Sequence, residues 1–168
     1  MTVVGRDNLI RLFPNFKDDV AENGIDLRVG NVQVIDVNTE ISGCIDDIKY
    51  KPNYIDIPTT YLSDYDSYCY KLLPNTFYFI TVDRDIHIPD GYTQIYLIRS
   101  TFARCGLQLV SSVGDNDFNG TLMMSIVNNS TLPVYVGCNE RLIQAVTFKN
   151  DGTASKYDGV YQNNKFYE

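Results

Sequence analysis

The sequence predicts an all-β domain, a sandwich or barrel of the jelly-roll kind, from three observations. Apolar and polar residues alternate in many short segments, with turn residues about every 8 to 12 positions. The 13 tyrosines, together with many Val, Ile and Thr residues, favour strands over helices. No helical segments alternate with the strands, so a doubly wound α/β domain does not fit. The length of 168 residues suits a single domain, residues 1–168.

The first predicted elements are a short helix and a pair of strands. Asp7 is placed to cap a helix that runs to about Phe13, and Pro14 ends that helix. The segment "GIDLRVGNVQVIDV" alternates with a period of two. This pattern predicts two strands joined by a turn at Gly30 and Asn31.

The rest of the chain predicts further strands and a tail. Residues 39–75 are irregular and rich in Asp, Tyr and Pro, which indicates short strands in a surface excursion. "NTFYFITVDRDIHIPDGYTQIYLIRS" predicts two strands joined by a turn that contains Pro and Asp-Gly. "TLMMSIVNN", "LPVYVG" and "RLIQAVTFK" predict three more. Residues 150–168 lack apolar periodicity and are predicted to form a C-terminal arm.

Charge and cysteine content exclude several kinds of site. The net charge is −7 and no Lys/Arg-rich block occurs, so binding to a long nucleic acid is not expected. A few placed cations would still suffice for a small anion. Cysteines 44, 69, 105 and 138 are widely spaced and His87 is the single histidine, which does not fit a zinc site. We expect reduced, largely buried thiols.

The N-terminal segment and the length of the apolar runs indicate where in the cell the protein is expected. "MTVVGRDNLIRLF" lacks a basic start followed by a long apolar stretch, as a signal peptide would have. No apolar run reaches the length of a membrane span. We therefore expect a cytoplasmic protein that does not associate with a membrane.

One passage, "RSTFARCGLQLVSSVGDNDFNG" (99–120), carries the chemistry of an anion site. Two arginines with hydroxyls between them precede two aspartates placed around a turn, and a buried strand needs none of these groups. Arg donors bind phosphate groups in a bidentate manner, and a nearby carboxylate can activate water. The passage therefore favours a site that binds an anion beside a metal or an activated water.

Five motifs follow one another in an order that resembles the dUTPase and dCTP deaminase superfamily. They are "ENGIDLRVG" (22–30), "RSTFARCGL" (99–107), "DNDFNG" (115–120), "ERLIQAVTF" (140–148) and "KYDG" (156–159). The likeness covers about residues 5–162, and the seven residues before Asp115 resemble the dCTP-deaminase-like branch, which includes dUTPases. It implies a distorted jelly-roll-like β-barrel and a homotrimer with active sites at subunit interfaces. The implied ligand is dUTP or a related pyrimidine deoxynucleotide.

The resemblance assigns phosphate chemistry to the second motif and to the first aspartate of the third. Arg99, Ser100 and Thr101 match a phosphate-binding stretch, and Arg104 matches a residue of the catalytic centre in deaminase-like members. Asp115 matches the aspartate that activates the water attacking the α-phosphate, with Mg²⁺ positioning the phosphates.

The third motif, D-x-D-[YF]-x-G, is interpreted as a hairpin that holds the deoxynucleoside. Asp117 lies within it, Phe118 matches the residue that packs on the deoxyribose, and Gly120 permits tight hairpin geometry. Main-chain groups of this hairpin would select the base. Gly114 stands where an apolar residue is common in the family, and we expect it to loosen the hairpin. Taken alone, the string also fits an ordinary polar β-turn.

Two residues of the first and fourth motifs complete the predicted phosphate site. Asp26 matches a carboxylate that takes part in Mg²⁺ binding through water, a role that this ion tolerates. It would serve equally well as a brace of the barrel that bonds to backbone amides. Gln144 matches a phosphate-contacting amide of dUTPases.

The tail resembles an arm that closes on the triphosphate and excludes water. Lys156 and Tyr157 match the start of the arm motif K-Y-x-G-Q. Here Val160 follows the glycine, and Gln162 comes two places later. Closure over the γ-phosphate is therefore an open question.

Ser125 separates two activities within the family. Its deaminases use a glutamate as base on the strand after the hairpin glycine, and five positions past Gly120 this chain has Ser125. A serine hydroxyl does not take a proton near neutral pH without another base. We therefore expect a Mg²⁺-dependent dUTP diphosphatase that yields dUMP and pyrophosphate. The alternatives are a non-catalytic deoxynucleotide-binding regulator or sponge and a dCTP deaminase.

Overall fold

The computed structural model describes residues 2–167, which form a curled antiparallel sheet with a few short helices. Its strands are β1 (Thr2–Val3), β2 (Ile25–Ile35), β3 (Gly43–Ile45), β4 (Ile48–Tyr50), β5 (Tyr54–Asp56), β6 (Thr59–Leu62), β7 (Ser67–Leu72), β8 (Phe77–Val82), β9 (Ile86–His87), β10 (Tyr92–Ile98), β11 (Leu107–Val110), β12 (Asn119–Gly120), β13 (Met123–Asn128), β14 (Val134–Gly137) and β15 (Arg141–Lys149). Its helices are α1 (Arg6–Leu12), α2 (Ser100–Arg104) and 3₁₀ helices at Pro14–Asp19, Ser63–Tyr65 and Gln162–Tyr167. The predicted all-β class with a short N-terminal helix is confirmed.

The main sheet has the strand order β1-β15-β2-β8-β13-β11, and all its pairs are antiparallel. Strand β10 pairs with β15, and β5 pairs with β2. Smaller sheets form from β14-β7-β6, β12-β9 and β3-β4. The curled half-barrel buries the inward side chains of its central strands. Fully buried examples are Ile25, Leu27, Ile80, Ile126 and Ile143.

Strand β2 corrects the prediction of a turn at Gly30 and Asn31. It is one strand of 11 residues with a bulge between Val29 and Asn31. The strand pairs with β15 before the bulge and with β8 after it. A Cβ at Gly30 would lie 2.7 Å from the carbonyl oxygen of Val82. Glycine here lets a neighbouring strand approach closely and does not turn the chain.

Helix α1 begins one residue earlier than the cap predicted from the sequence. Gly5 is the N-cap, with no capping side chain, and Asp7 lies in the first turn. Asp7 is therefore not a cap, but its charge still suits the positive end of the helix dipole. The helix ends at Leu12, just before Pro14, as predicted. Leu9 anchors it in the core with no exposed surface.

The cysteines are free, but they are not largely buried. Cys69 is buried on β7, whereas Cys44, Cys105 and Cys138 are exposed. The expectation was wrong for these three because they lie on a peripheral hairpin or just beyond the ends of α2 and β14. Among residues 2–167, no helix has the length and apolar character needed to cross a bilayer.

A buried ion network ties the segment after α1 to the main sheet. The carboxylate of Asp19 lies 2.7 Å from the guanidinium of Arg28, 3.0 Å from that of Arg141 and 3.3 Å from that of Arg84. Burial alone would raise the pKa of Asp19. The hydrogen bond from Arg28 and the charges of the three arginines outweigh burial and lower it. The ionised carboxylate therefore joins the 3₁₀ helix to β2, to β15 and to the loop after β8.

Candidate active site

The structure divides the predicted site residues into two groups. The hairpin group consists of Asp115, Asp117, Phe118, Gly120, Lys156 and Tyr157. The arginine group consists of Asp26, Arg99, Ser100, Thr101, Arg104 and Gln144. Among residues 2–167, no hydrogen bond or ion pair joins one group to the other. The hairpin group surrounds a cavity.

The cavity beside the hairpin has a volume of about 290 Å³, and six aromatic rings are among its lining side chains. Its rings belong to Tyr54, Phe79, Tyr96, Phe118, Tyr157 and Tyr161. Met123, Met124 and Ser125 contribute the wall from β13. A cavity of this size, with ring faces on several sides, suits a planar ligand that stacks.

Asp115 supplies the carboxylate of this cavity. It opens the turn in which the Phe118 amide donates to the Asp115 carbonyl oxygen at 3.2 Å. Asp115 is exposed, and no described residue hydrogen-bonds to its carboxylate. Burial, and then the charge of Asp115, raise the pKa of Tyr96 on the same wall. The carboxylate is therefore free to bind water at the edge of the aromatic cavity.

The second aspartate of the motif, Asp117, is ion-paired to a described residue, unlike Asp115. Asp117 adopts a left-handed φ of 60°. Its carboxylate lies 3.1 Å from Nζ of Lys156. This hydrogen bond raises the pKa of Lys156, which keeps its positive charge. Asp117 thus holds the start of the arm and does not line the cavity.

Phe118 and Tyr157 form the junction between hairpin and arm. Their ring centroids are 5.8 Å apart in an edge-on arrangement, and both rings line the cavity. The Tyr157 amide donates to the carbonyl oxygen of Asn116 at 2.8 Å. The arm therefore closes on the hairpin of its own chain at this point.

Beyond Tyr157, the amide side chain of Gln162 clamps the arm to the hairpin backbone. Its Nε2 donates to the Asp117 carbonyl oxygen, and its Oε1 accepts from the Asn119 amide, both at 2.8 Å. Asn164 accepts from the Thr121 amide at 2.6 Å. A Cβ at Gly120, where φ is 153°, would meet Asn164 Oδ1 at 2.7 Å. Gln162 and Asn164 thus fix the arm to the hairpin, and Gly120 makes room for the side chain of Asn164.

Asn116 is a buried residue whose side chain hydrogen-bonds to several segments, a role that the sequence did not indicate. Its Oδ1 accepts from the Gly91 amide at 2.6 Å, and its Nδ2 donates to Asp90 at 3.0 Å. Nδ2 also lies within 3.4 Å of carbonyl oxygens at the start of the arm. An Asn between two aspartates carries no sequence signal beyond a turn.

Gly114 does not loosen the hairpin, contrary to expectation. Its amide and carbonyl both pair with the backbone of Gln94, at 2.8 and 2.9 Å. The side-chain space that it leaves is filled by Tyr96 and Ile88. The sequence could not show this filling, because those residues come from β10 and from the segment after β9.

In the arginine group, the buried carboxylate of Asp26 joins two predicted phosphate ligands. Its Oδ2 lies 3.4 Å from Nε of Arg99, and its Oδ1 lies 3.4 Å from Nε2 of Gln144. Arg99 also donates to the Arg141 carbonyl oxygen at 3.1 Å. Asp26 thus braces side chains of the group rather than backbone amides.

The other members of the arginine group lie on α2, a helix that the sequence analysis did not predict. Ser100, Thr101 and Arg104 are exposed, and their side chains have no hydrogen bond or ion pair with any described residue. Ser100 and Arg104 are four residues apart and therefore project from the same helix face. Their donors are available to a ligand or to another chain.

The donor set fits Mg²⁺ only in part. Residues 2–167 contain no group of three or more His, Cys, Asp or Glu side chains that could hold a metal ion. Magnesium bound to phosphates needs only one or two protein carboxylates and keeps several waters. Asp26, already bonded to Arg99 and Gln144, fits such an outer-sphere role.

Replacing Gln162 with alanine should release the arm. The variant loses two hydrogen bonds to the hairpin backbone, each of which contributes about 1 kcal/mol. We expect the amide of Asn119 to exchange with solvent roughly tenfold faster, as measured by hydrogen–deuterium exchange. Replacing the exposed Lys165 is the control. Unchanged exchange in the Gln162 variant would show that the clamp does not hold the arm.

A family model described as dCTP deaminase-like matches residues 4–150, and the match ends where the predicted arm begins. A probable deoxyuridine 5'-triphosphate nucleotidohydrolase of Methanothermobacter thermautotrophicus is 36% identical over 160 residues, which cover 95% of this chain and 99% of that protein. A dCTP deaminase of Pyrobaculum calidifontis is 29% identical over 91% of this chain and 82% of its own.

The solved structures include a similar fold. The crystal structure of 2'-deoxycytidine 5'-triphosphate deaminase from Agrobacterium tumefaciens superposes with a TM-score of 0.62 at 16% identity. The match covers 86% of this chain but only 46% of that one. At this identity the likeness concerns the fold alone.

Proposed function

The chain belongs to the dCTP deaminase-like family, and we propose that it hydrolyses dUTP to dUMP and pyrophosphate. One observation carries the proposal. Asp115 is the sole acid among the described residues that line the cavity, and Ser125 stands on the wall where a deaminase of the family would need a glutamate. The cavity therefore has a base for water but none at the position used for deamination. The dUTPase-named relative, similar over nearly its whole length, adds support.

In the proposed reaction Asp115 is the general base. Its carboxylate accepts a proton from water, and the water oxygen attacks the α-phosphorus of dUTP. The bond from the α-phosphorus to the bridging oxygen breaks, and pyrophosphate leaves. Because no group of the described residues hydrogen-bonds to the Asp115 carboxylate, it can orient this water without first losing such a partner.

The aromatic wall would hold the nucleoside during this step. Phe118, which is 7% exposed and packed edge-on against Tyr157, offers an apolar face to the deoxyribose. The remaining rings leave room for a stacked pyrimidine. Clamping of the arm by Gln162 keeps Tyr157 over the cavity and limits the entry of further water.

The arginine group would bind the triphosphate. Arg99, Arg104 and the hydroxyls of α2 offer charge-assisted donors to phosphate oxygens. When bound to the phosphates, Mg²⁺ lowers the charge repulsion that opposes attack. Asp26 would take part in holding it through water, and Gln144 would contact a phosphate oxygen.

We infer that the two groups meet across subunits of a homotrimer. The hairpin group surrounds the cavity of one chain, and the side-chain donors on α2 of that chain are exposed and have no partner among residues 2–167. A neighbouring subunit that presents its α2 to the cavity would complete the site. Closed cyclic assemblies provide such repeated contacts.

Mixing two inactive variants should restore activity if the site is shared. The Asp115→Asn variant lacks the base, and the Arg104→Ala variant lacks a phosphate donor whose side chain is bonded to no described residue. Random co-assembly of equal amounts should give about a quarter of the wild-type sites, each with an intact hairpin and an intact arginine group. The measurement is pyrophosphate release by co-expressed, doubly tagged oligomers.

Two controls complete the mixing experiment. Each variant alone should stay inactive, and size-exclusion chromatography with light scattering gives the number of subunits. Hybrid oligomers that are no more active than the single variants would place the whole site within one chain.

A substrate panel tests the function itself. Purified protein with Mg²⁺ should release pyrophosphate from dUTP, should release no ammonia from dCTP, and should lose its activity when EDTA removes the metal. Ammonia from dCTP would overturn the proposal in favour of deamination. Tight binding of dUTP with neither product would favour the regulator, since the clamped arm is equally suited to retaining a nucleotide.

A further inference from the structure

The backbone that carries Asp115 is fixed from the residue before it. Gly114 forms a two-way backbone bridge with Gln94 of β10, at 2.8 and 2.9 Å. Gln94 has no exposed surface, and it is two residues from the cavity residue Tyr96 on the same strand. The hairpin thus leaves the sheet at a point determined by β10.

Tyr96 occupies the space in which a side chain at position 114 would lie. A Cβ placed on Gly114 would overlap the Tyr96 hydroxyl and would lie 3.0 Å from its Cζ and 2.7 Å from Cδ1 of Ile88. Both side chains are enclosed, since Ile88 has no exposed surface and Tyr96 is 6% exposed. Glycine at 114 is therefore required by the phenol and by Ile88 and not by its backbone conformation, since its φ is not in the left-handed region.

The phenol is held in place by a chain of buried hydrogen bonds. The Tyr96 hydroxyl donates to Oε1 of Gln94 at 3.2 Å, and Nε2 of Gln94 donates to Oγ1 of Thr147 at 3.0 Å. Gln94 and Thr147 are both fully buried. A satisfied buried network of this kind is rigid and costly to disturb. It fixes the ring against the hairpin backbone.

We propose that Tyr96 is a positioning residue for Asp115. Its ring replaces the missing side chain of Gly114 and, anchored through Gln94 and Thr147, sets the backbone from which the Asp115 carboxylate projects into the cavity. The proposal rests on the proposed function for the role of Asp115. Burial and the nearby Asp115 charge raise the pKa of Tyr96, so the phenol stays neutral and keeps its donor.

Gly114 and Tyr96 therefore depend on each other, because the ring fills the space that the glycine leaves. Adding a methyl group at 114 pushes the hairpin away from the ring, and removing the ring leaves the hairpin unsupported. Misplacement of a reacting group by about 1 Å lowers a rate by roughly 10²-fold. Gly114→Ala should therefore lower kcat without changing KM, because all the cavity rings remain. Tyr96→Leu, which also removes one ring of the cavity, should lower kcat by a larger factor than it raises KM.

The test is a double-mutant cycle of Gly114→Ala and Tyr96→Leu in the full-length protein. Each single variant should lose roughly 10²-fold in kcat for dUTP. The double variant should also lose roughly 10²-fold in kcat, and not the roughly 10⁴-fold expected if the two effects multiplied. The reason is that the added methyl group then occupies space that the ring has left. Gly137→Ala with Tyr135→Leu on β14 is the matched control, since a Cβ at Gly137 meets nothing closer than 3.7 Å.

Melting temperatures of the same proteins give a readout that does not need activity. The decreases in melting temperature of the two single variants should not add in the double variant. If wild-type protein releases no pyrophosphate, the proposed function fails, while non-additive melting temperatures still establish the contact. If wild-type protein is active and the kcat losses multiply, or if KM rises while kcat is kept, the positioning role of Tyr96 is overturned.

Discussion

Replacing Asp115 with asparagine should lower kcat for dUTP about 10²–10⁴-fold, the range of general-base catalysis. Asparagine keeps the size of the side chain but cannot accept the proton of the attacking water. No described residue bonds to the Asp115 carboxylate, so the fold loses little. We expect an unchanged melting temperature and a nearly unchanged dissociation constant for dUTP, measured by calorimetry.

Two further aspartates provide the controls for this substitution. Asp117→Asn should act mainly on KM, because Asp117 pairs with Lys156 of the arm at 3.1 Å and does not line the cavity. Asp151→Asn, at an exposed position after β15, should have no effect. Equal losses of kcat in the Asp115 and Asp117 variants would argue against a unique base.

Replacing Asp19 with asparagine should cost about 3–5 kcal/mol in the free energy of unfolding, as expected when one partner of a buried ion network is removed. The side chain of Asp19 is 3% exposed and is paired with Arg28, Arg84 and Arg141. Its loss leaves Arg28 and Arg141 without this counter-charge, while Arg84 keeps its ion pair with Asp83 at 2.6 Å. Urea denaturation at pH 7 measures the difference, and Asp64→Asn at an exposed site is the control.

The pH dependence of this difference has a defined sign. The pKa of Asp19 lies below its ordinary value of 3.8 in the folded state. Its contribution to stability is therefore complete above the unfolded pKa and is lost as the pH falls through the folded one. The gap between wild type and Asp19→Asn should stay constant from about pH 5 to 8 and shrink below about pH 4. A gap that is small at pH 7, or one that grows on acidification, would contradict the role assigned to the network.

Strand positions could be predicted from the sequence because alternation reports burial on one face of a sheet. β8, β10, β13, β14 and β15 follow this pattern. The prediction of a turn at Gly30 was wrong because a glycine within an alternating segment indicates either a turn or a closely approaching strand. Here the approaching strand is β8, which lies some fifty residues away in the sequence. Helix α2 was missed because five residues are too few to show a helical period.

For the candidate site, the sequence predicts only the residues that lie within the family motifs. Resemblance predicted Asp115, Phe118 and Arg99, of which the first two line the cavity. No motif includes the cavity walls from Tyr54, Phe79 or Tyr96. These side chains reach the hairpin through strand pairing and curling of the sheet, which single-sequence patterns do not encode. The same holds for Gln162, whose clamp depends on the distance between arm and hairpin in space.

Hydrolysis of dUTP in ¹⁸O-labelled water tests the central claim most directly. Wild-type protein with Mg²⁺ is incubated with dUTP, and the products are separated and weighed by mass spectrometry. If a water activated by Asp115 attacks the α-phosphorus, one ¹⁸O atom appears in dUMP, none appears in pyrophosphate, and no ammonia forms. Label in pyrophosphate, ammonia from the base, or no product while dUTP is bound would contradict the account.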